Sequence, residues 1–278
     1  MDVRELVRRA LDEDGADRDL TTLATVPEGV RARGTLLAKE DLVVSGLDVA
    51  ALVFEAIDPR AVLSPLVPEG GAAARGTSMG TVEGPARALL QAERVALNLL
   101  QRLTGVATLT RRFVEAVAGT RARIRDTRKT TPLLRALQKR AVVAGGGVPH
   151  RSGLDDAILI KDNHVRIAGS VGEATRRAIA AAGQRPVEVE VEREDQIEEA
   201  LGAGATMLLL DNFTVEGVRS AVARIRGRVP VEVSGGVTLA TVRAYAEAGA
   251  DLIAVGALTH SAPSADISLE IVPGGVRS

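Results

Sequence analysis

The 278-residue chain has no cysteine. That excludes disulfides, zinc–thiolate centres, iron–sulfur clusters and a thiol nucleophile. Tryptophan is also missing, and three phenylalanines and one tyrosine are the whole aromatic complement. Single-stranded nucleic-acid binding therefore loses the platforms on which bases stack. No apolar run approaches the roughly 20 residues that cross a bilayer. The opening MDVRELVRRALDEDG is charged throughout, unlike a secretory signal. Nor does one sign of charge dominate. The 35 basic and 36 acidic residues leave a net charge of −1, with no global field to attract DNA or a membrane surface. The expected setting is cytoplasmic, with no nucleic-acid and no membrane partner.

What is present is aliphatic. Hydrophobic residues make up 46% of the chain, so the core must be built from Ala, Val, Leu and Ile. The length suits one barrel-sized domain plus a smaller one. Charge is uneven locally. Residues 121–140 hold eight basic groups against one acid, Asp126, and residues 188–199 hold seven acids against one base, Arg193. The first segment could hold anions and the second a metal ion.

The first part of the chain is irregular. Residues 2–13 have the pattern of an amphipathic helix, and DRDLTT (17–22) that of a polar turn. Residues 32–46 read as short strands. DVAALVFEAI (48–57) reads as a helix capped by Asp48, and MGTVEG as a strand. A long helix is expected to start at Pro85, a favoured first position, and to break at Gly105. From Arg121 onward, short β-branched runs alternate with Ala-rich helical segments. Glu190 to Asp211 is 21 residues, Asp211 to Ser234 is 23, and Ser234 to Gly256 is 22. That is the length of one strand–loop–helix unit, repeated. Six such units predict parallel strands with covering helices, in an α/β barrel more than a doubly wound sheet.

Barrels gather chemistry at the C-terminal ends of their strands. Here the runs end in DTRK, KDNH, EVEVE, LDN, SGG and VGA, which is too regular for solvated turns. Lys161 abuts the apolar AILI directly and reads as functional, whereas His164 reads as a turn residue. Glu188, Glu190 and Glu192 alternate and so share a face, where burial is costly unless they are paired or on a metal. Asp211 would lie near Glu190, and such a pair with phosphate is a usual Mg2+ arrangement. Ser234, Gly235, Gly236 and Gly256 precede helical segments, where bare N–H groups hold phosphate. The stretch after Gly256 could add a short helix, with His260 capping it or idle. GGGVPHRSGLDD, taken as following the first barrel helix, sets His150 and Arg151 ahead of the second run; alone it is a surface loop. Arg94 alone is a solvated helix charge. These residues by themselves leave open an aldolase using Lys161 as a Schiff-base amine, and a non-catalytic binder of phosphate ligands.

Taken together, DLTT, QAERVALNLLQRLTGVAT, the long run from DTRKTTP to ILIKDNH, EVEVE, LLLDNF, EVSGG and AVGALTHSAPSADISLEI resemble the quinolinate phosphoribosyltransferases in motif and order, over nearly the whole chain. The resemblance implies an N-terminal α/β sandwich-like domain (1–110) and an open, incomplete α/β barrel (111–270), with a tail (271–278) that could return to the first domain. It implies a homodimer with shared sites. It also implies Mg2+-dependent joining of quinolinate to phosphoribosyl pyrophosphate, giving nicotinate mononucleotide, pyrophosphate and carbon dioxide in NAD biosynthesis. By the same resemblance, Arg128, His150, Arg151 and Lys161 fall at quinolinate-binding positions, with Arg94 reaching in from the partner chain. Lys129 faces the phosphoribosyl substrate, and Thr127 counts among the substrate-binding positions. Glu190 and Asp211 hold the metal and ribose side, and with Lys129 and Lys161 make the catalytic set. Ser234, Gly235, Gly236, Gly256 and Ala257 form the phosphate loops. Two departures stand out. Pro149 replaces the Asn more often found before His-Arg, and Ser152 replaces a larger apolar residue. A related barrel turned to another pyridine substrate is the nearest rival, although keeping both Arg128 and Arg151 favours a dicarboxylate.

Overall fold

Arg31–Ala38 alternates outward and buried side chains, the period of a half-buried strand. In the computed structural model, which describes residues 2–274, this stretch is β1. Chain contacts divide the molecule into two compact units that are not consecutive in sequence. The described parts of Met1–Leu109, Thr131–Gly146 and Ala262–Ser278 form one, and Thr110–Thr130 with Gly147–Ser261 form the other.

The first unit begins with α1 (Val3–Asp14) and α2 (Leu20–Thr25). After β1 come β2 (Leu42–Val43), α3 (Leu47–Ile57), β3 (Val62–Pro65), β4 (Ala72–Ala73), β5 (Ser78–Pro85) and α4 (Ala86–Ala116), of which this unit takes the residues up to Leu109. Two later elements join this unit, α5 (Arg135–Ala144) and β12 (Ile267–Pro273). Its main sheet is antiparallel in the order β12–β1–β5–β3. Phe54, Leu36, Met79, Leu89, Leu100 and Leu103 fill its core. Residues 271–273 of the expected returning tail thus lie in a strand beside β1, while 275–278 lie outside the described residues.

Several local expectations are corrected here. DRDLTT is not a turn. A 3-10 helix, Ala16–Arg18, leads into α2, and Asp19 caps that helix by accepting the Thr22 N–H at 3.0 Å. Asp48 does not cap α3. Gly46 holds the cap position at φ 99°, and Asp48 instead accepts both terminal nitrogens of Arg140 at 2.7 Å each. Pro85 ends β5 rather than starting the helix. Gly105 does not break α4, which runs through it for 31 residues. The helix before GGG is α5, which packs with the first unit and is not the first barrel helix.

The second unit holds six parallel strands, β6 (Arg123–Arg125), β7 (Ile158–Ile160), β8 (Val187–Val191), β9 (Met207–Asp211), β10 (Val231–Ser234) and β11 (Leu252–Ala254). Between and after them lie α6 (Asp162–Ala168), α7 (Val171–Ala182), α8 (Asp195–Gly202), α9 (Val215–Ile225), α10 (Val242–Glu247) and α11 (Ala257–His260). Hydrogen bonding gives the order β6–β11–β10–β9–β8–β7. The first strand therefore pairs with the last, while β6 and β7 sit at opposite ends of the order. This is an open α/β barrel. Val187, Val189, Val191, Leu208, Leu210, Val231, Val233 and Ile253 are buried on one face of the strands. The alternate positions, Glu188, Glu190, Leu209 and Glu232, belong to the other face, and that face leads to the site.

Candidate active site

A cavity of about 580 Å³ opens where β6, β7, β9, β10 and β11 end. Of the residues given substrate, metal or catalytic roles by the resemblance, all except Arg94 and Glu190 line it. Arg94 is exposed on α4, in the other unit. Glu190 is buried on β8 and reaches the cavity through Lys161, whose Nζ donates to Glu190 Oε2 at 2.5 Å.

Each group is placed by local chemistry. After β6, the Thr127 hydroxyl accepts the Lys129 N–H at 3.0 Å, and Thr259 Oγ1 donates to the Lys129 carbonyl at 2.8 Å. The turn that carries Arg128 and Lys129 is therefore held at both ends. After β7, His164 Nδ1 accepts the Lys161 N–H at 2.9 Å and closes the first turn of α6, the structural part expected of it. After β9, Asn212 takes φ 58° and ends the strand. After β10, Gly235 and Gly236 have φ 98° and 60°. A Cβ on Gly235 would lie 2.2 Å from Asn212 Oδ1, so only glycine fits there. Gly256 likewise leaves room for Lys129 and His260, which a Cβ would meet at 3.2 Å.

The cavity is electropositive on one wall. Burial, and next the nearby charge of Arg128, depress the Arg151 pKa below its ordinary value. Two guanidiniums face one space, and the buried Nε of Arg151 has no acceptor among the described residues. Such a donor calls for an acceptor from outside the described residues. On the opposite wall, burial and then the Glu190 charge push Asp211 above the usual carboxylate range, while Lys161 and a hydrogen bond with Ser234 oppose the shift. Glu190 and Asp211 are thus close enough to repel one another.

A second acidic group lies deeper, and the sequence reading did not foresee it. His150, Glu188 and Glu232 are buried, and their ligand atoms all fall within 4.8 Å of one another. By donor type and spacing this group could hold a metal ion. Its hydrogen bonding favours protons instead. His150 Nδ1 accepts the Arg151 N–H at 2.7 Å, so Nε2 carries the hydrogen and faces Glu188 and Glu232 at 3.5 Å each. Arg125 Nη1 already binds Glu232 Oε2. Burial first, and the Glu232 charge second, push Glu188 up to about 8. Glu232 is also raised by burial, against the pull of Arg125.

The raised Glu188 has a measurable consequence. The folded chain keeps a proton that the unfolded chain releases between about pH 4.5 and 8. Stability must therefore fall as pH rises through that window and level off above it. Glu188→Gln removes the titration. Its stability advantage over wild type should be near zero below pH 4.5 and grow to roughly 4 kcal/mol by pH 8. Urea unfolding of both proteins at pH 5, 7 and 8.5 measures this, and parallel curves would refute the assignment.

Two titratable lining residues were missed from the sequence. His260, left as capping or idle, lines the cavity from α11. Glu232 was passed over for the glycines that follow it. Its signal was there, a lone acid alternating with valines in VEVS.

Fold and site together define an open α/β barrel whose strand ends gather basic and acidic side chains around one cavity. The family model for the quinolinate phosphoribosyl transferase C-terminal domain matches residues 106–270, and that for the N-terminal domain matches residues 19–104. The chain belongs to the quinolinate phosphoribosyl transferase family. It is 47% identical over 275 residues to the carboxylating nicotinate-nucleotide pyrophosphorylase of Mycobacterium leprae, covering 96% of each chain. A probable enzyme of the same name from Bacillus subtilis is 39% identical, with 98% of this chain and 94% of that one covered. The crystal structure of NadC from Streptococcus pyogenes superposes with a TM-score of 0.92 at 39% identity, over 97% of this chain and 96% of that one.

Proposed function

We propose that this chain transfers the phosphoribosyl group of phosphoribosyl pyrophosphate to quinolinate, with loss of carbon dioxide, to give nicotinate mononucleotide in NAD biosynthesis. The observation that carries the reading is the Arg128–Arg151 wall with its unmet buried donor. A pyridine with two adjacent carboxylates supplies the missing acceptors, and Arg binds carboxylate through two parallel hydrogen bonds.

In this reading Arg128, His150, Arg151 and Lys161 hold the dicarboxylate. Lys129, Thr127 and the backbone of Ser234, Gly235, Gly236, Gly256 and Ala257 hold the phosphates and ribose. Glu190 and Asp211 offer hard oxygen donors on neighbouring strands, and their mutual repulsion is what a divalent cation relieves, so this donor set fits Mg2+. When bound, the ion supplies charge neutralisation for the leaving pyrophosphate. The residues aim the pyridine nitrogen at the ribose C1. Its lone pair forms the new N–C bond as the C–O bond to pyrophosphate breaks, and the oxygen keeps the electron pair. The C–C bond to the adjacent carboxylate then breaks, and carbon dioxide leaves. The electron pair stays on the ring carbon beside the cationic nitrogen until a proton from solvent replaces the carboxylate. No side-chain nucleophile takes part.

The test is turnover of quinolinate with phosphoribosyl pyrophosphate, with and without Mg2+, and with nicotinate in parallel. Mg2+-dependent nicotinate mononucleotide from quinolinate supports the reading. No product from a folded protein overturns it.

The proposal includes a homodimer in which Arg94 serves the neighbouring site. Equal mixing of inactive Arg94→Ala and Lys161→Ala chains should then restore about a quarter of wild-type activity, because half the dimers are mixed and each has one intact site. Mixed dimers that form and stay silent would remove Arg94 from the site. The chain is proposed to act in the cytoplasm; no described helix is long and apolar enough to cross a membrane.

A further inference from the structure

The loop that carries His150 and Arg151 lies outside every strand, yet both side chains must be held against substrates. Its Val148–His150 backbone is anchored by β6 and the residue after it. Val148 pairs with Arg125 in a parallel bridge, and the Val148 N–H donates to the Ile124 carbonyl at 2.8 Å. The His150 N–H donates to the buried carboxylate of Asp126 at 2.7 Å. Arg125 adds a side-chain contact, Nε to the Pro149 carbonyl at 3.4 Å. Its Nη1 crosses to Glu232 on β10, whose other oxygen faces His150 Nε2 at 3.5 Å. Glu232 is fully buried, and the Arg125 side chain is only 17% exposed.

Arg125 belongs to the basic cluster that the sequence displays, but it does not line the cavity. Its charge is committed to Glu232. Without it, a buried carboxylate would stand directly under the anion wall and oppose an incoming dicarboxylate. We infer that Arg125 and Glu232 are a positioning pair. They hold the Pro149–Arg151 loop and the His150 ring in place for the pyridine dicarboxylate, and touch no substrate phosphate. The inference rests on the proposed substrate for its kinetic part only.

The experiment compares wild type, Arg125→Met, Arg125→Lys and the double variant Arg125→Met/Glu232→Gln. Substrate-free hydrogen exchange of the amides of Val148, His150, Arg151 and Ser152 reads the loop directly. It should speed by about ten-fold or more in Arg125→Met, less in Arg125→Lys, and partly recover in the double variant. Steady-state kinetics should show the KM for quinolinate raised about ten-fold in Arg125→Met, with the KM for phosphoribosyl pyrophosphate within about two-fold of wild type. Unchanged exchange in both single variants overturns the pair, as does an equal rise in both KM values. If Arg125→Met does not fold, Arg125→Lys, which keeps the charge but loses the fork, decides by the same criteria. Faster loop exchange in Arg125→Met, beside a wild type that never turns over quinolinate, would support the brace and sink the substrate reading alone.

Discussion

Arg151→Ala is expected to raise the KM for quinolinate by about a hundred-fold, while the KM for phosphoribosyl pyrophosphate changes less than about three-fold. The asymmetry follows from where the guanidinium spends its donors. One Nη1 hydrogen is held by the Ala157 carbonyl at 3.1 Å, and the buried Nε has no protein acceptor among the described residues. The group is partly desolvated and lies near a second guanidinium, Arg128. A carboxylate that binds there gains a charge-assisted bond in a low-dielectric wall and relieves the repulsion between the arginines. Alanine removes both gains, and water refills the space. Lysine at the same position restores charge without the planar fork and should recover only part of the loss. Steady-state kinetics with each substrate varied in turn would read the result. Equal losses for both substrates would detach Arg151 from the dicarboxylate.

Gly105→Ala is expected to destabilise the fold by about 3 kcal/mol or more, although the site is a helix interior. The naive expectation has the opposite sign, since alanine exceeds glycine in helix propensity by about 1 kcal/mol. Here a Cβ would stand 1.9 Å from the Pro263 carbonyl oxygen and 3.2 Å from the Ser264 Cα. Both obstacles are backbone, so no rotamer change clears the clash. The chain from Ala262 must pass that close because β12 has to reach the edge of β1. Gly202, at the end of α8, has nothing within 4 Å of its would-be Cβ and serves as the contrast. Gly202→Ala should be neutral or slightly stabilising. Urea unfolding of the two variants beside wild type tests the pair of signs, and a Gly105→Ala protein as stable as wild type would rule out the close approach.

Gly105 also shows what a sequence conceals. Glycine inside a helical pattern reads as a break, because its propensity is local and the reason for its presence is not. The residue that explains it, Pro263, is far along the chain. The same holds for Asp48, which has the right type and position for a cap, yet binds Arg140, 92 residues away.

The parts determined by the sequence alone are those encoded in neighbouring residues. Period-two alternation marked β8, the spacing of 21 to 23 residues marked the strand–helix repeat, and polar or glycine-rich run ends marked the rim. The glycine-rich end of β10 and the turn role of His164 were legible for the same reason, since their causes lie within a few residues. Tertiary structure decided the rest. It drew α5 and β12 into the unit that begins the chain. It set Glu188 and Glu232 beneath the rim rather than on it, and joined Arg125 to a carboxylate 107 residues away. Such pairings depend on which strands become neighbours when the barrel curls. A buried charge takes whatever partner that geometry brings within reach, and no local period in the sequence records it.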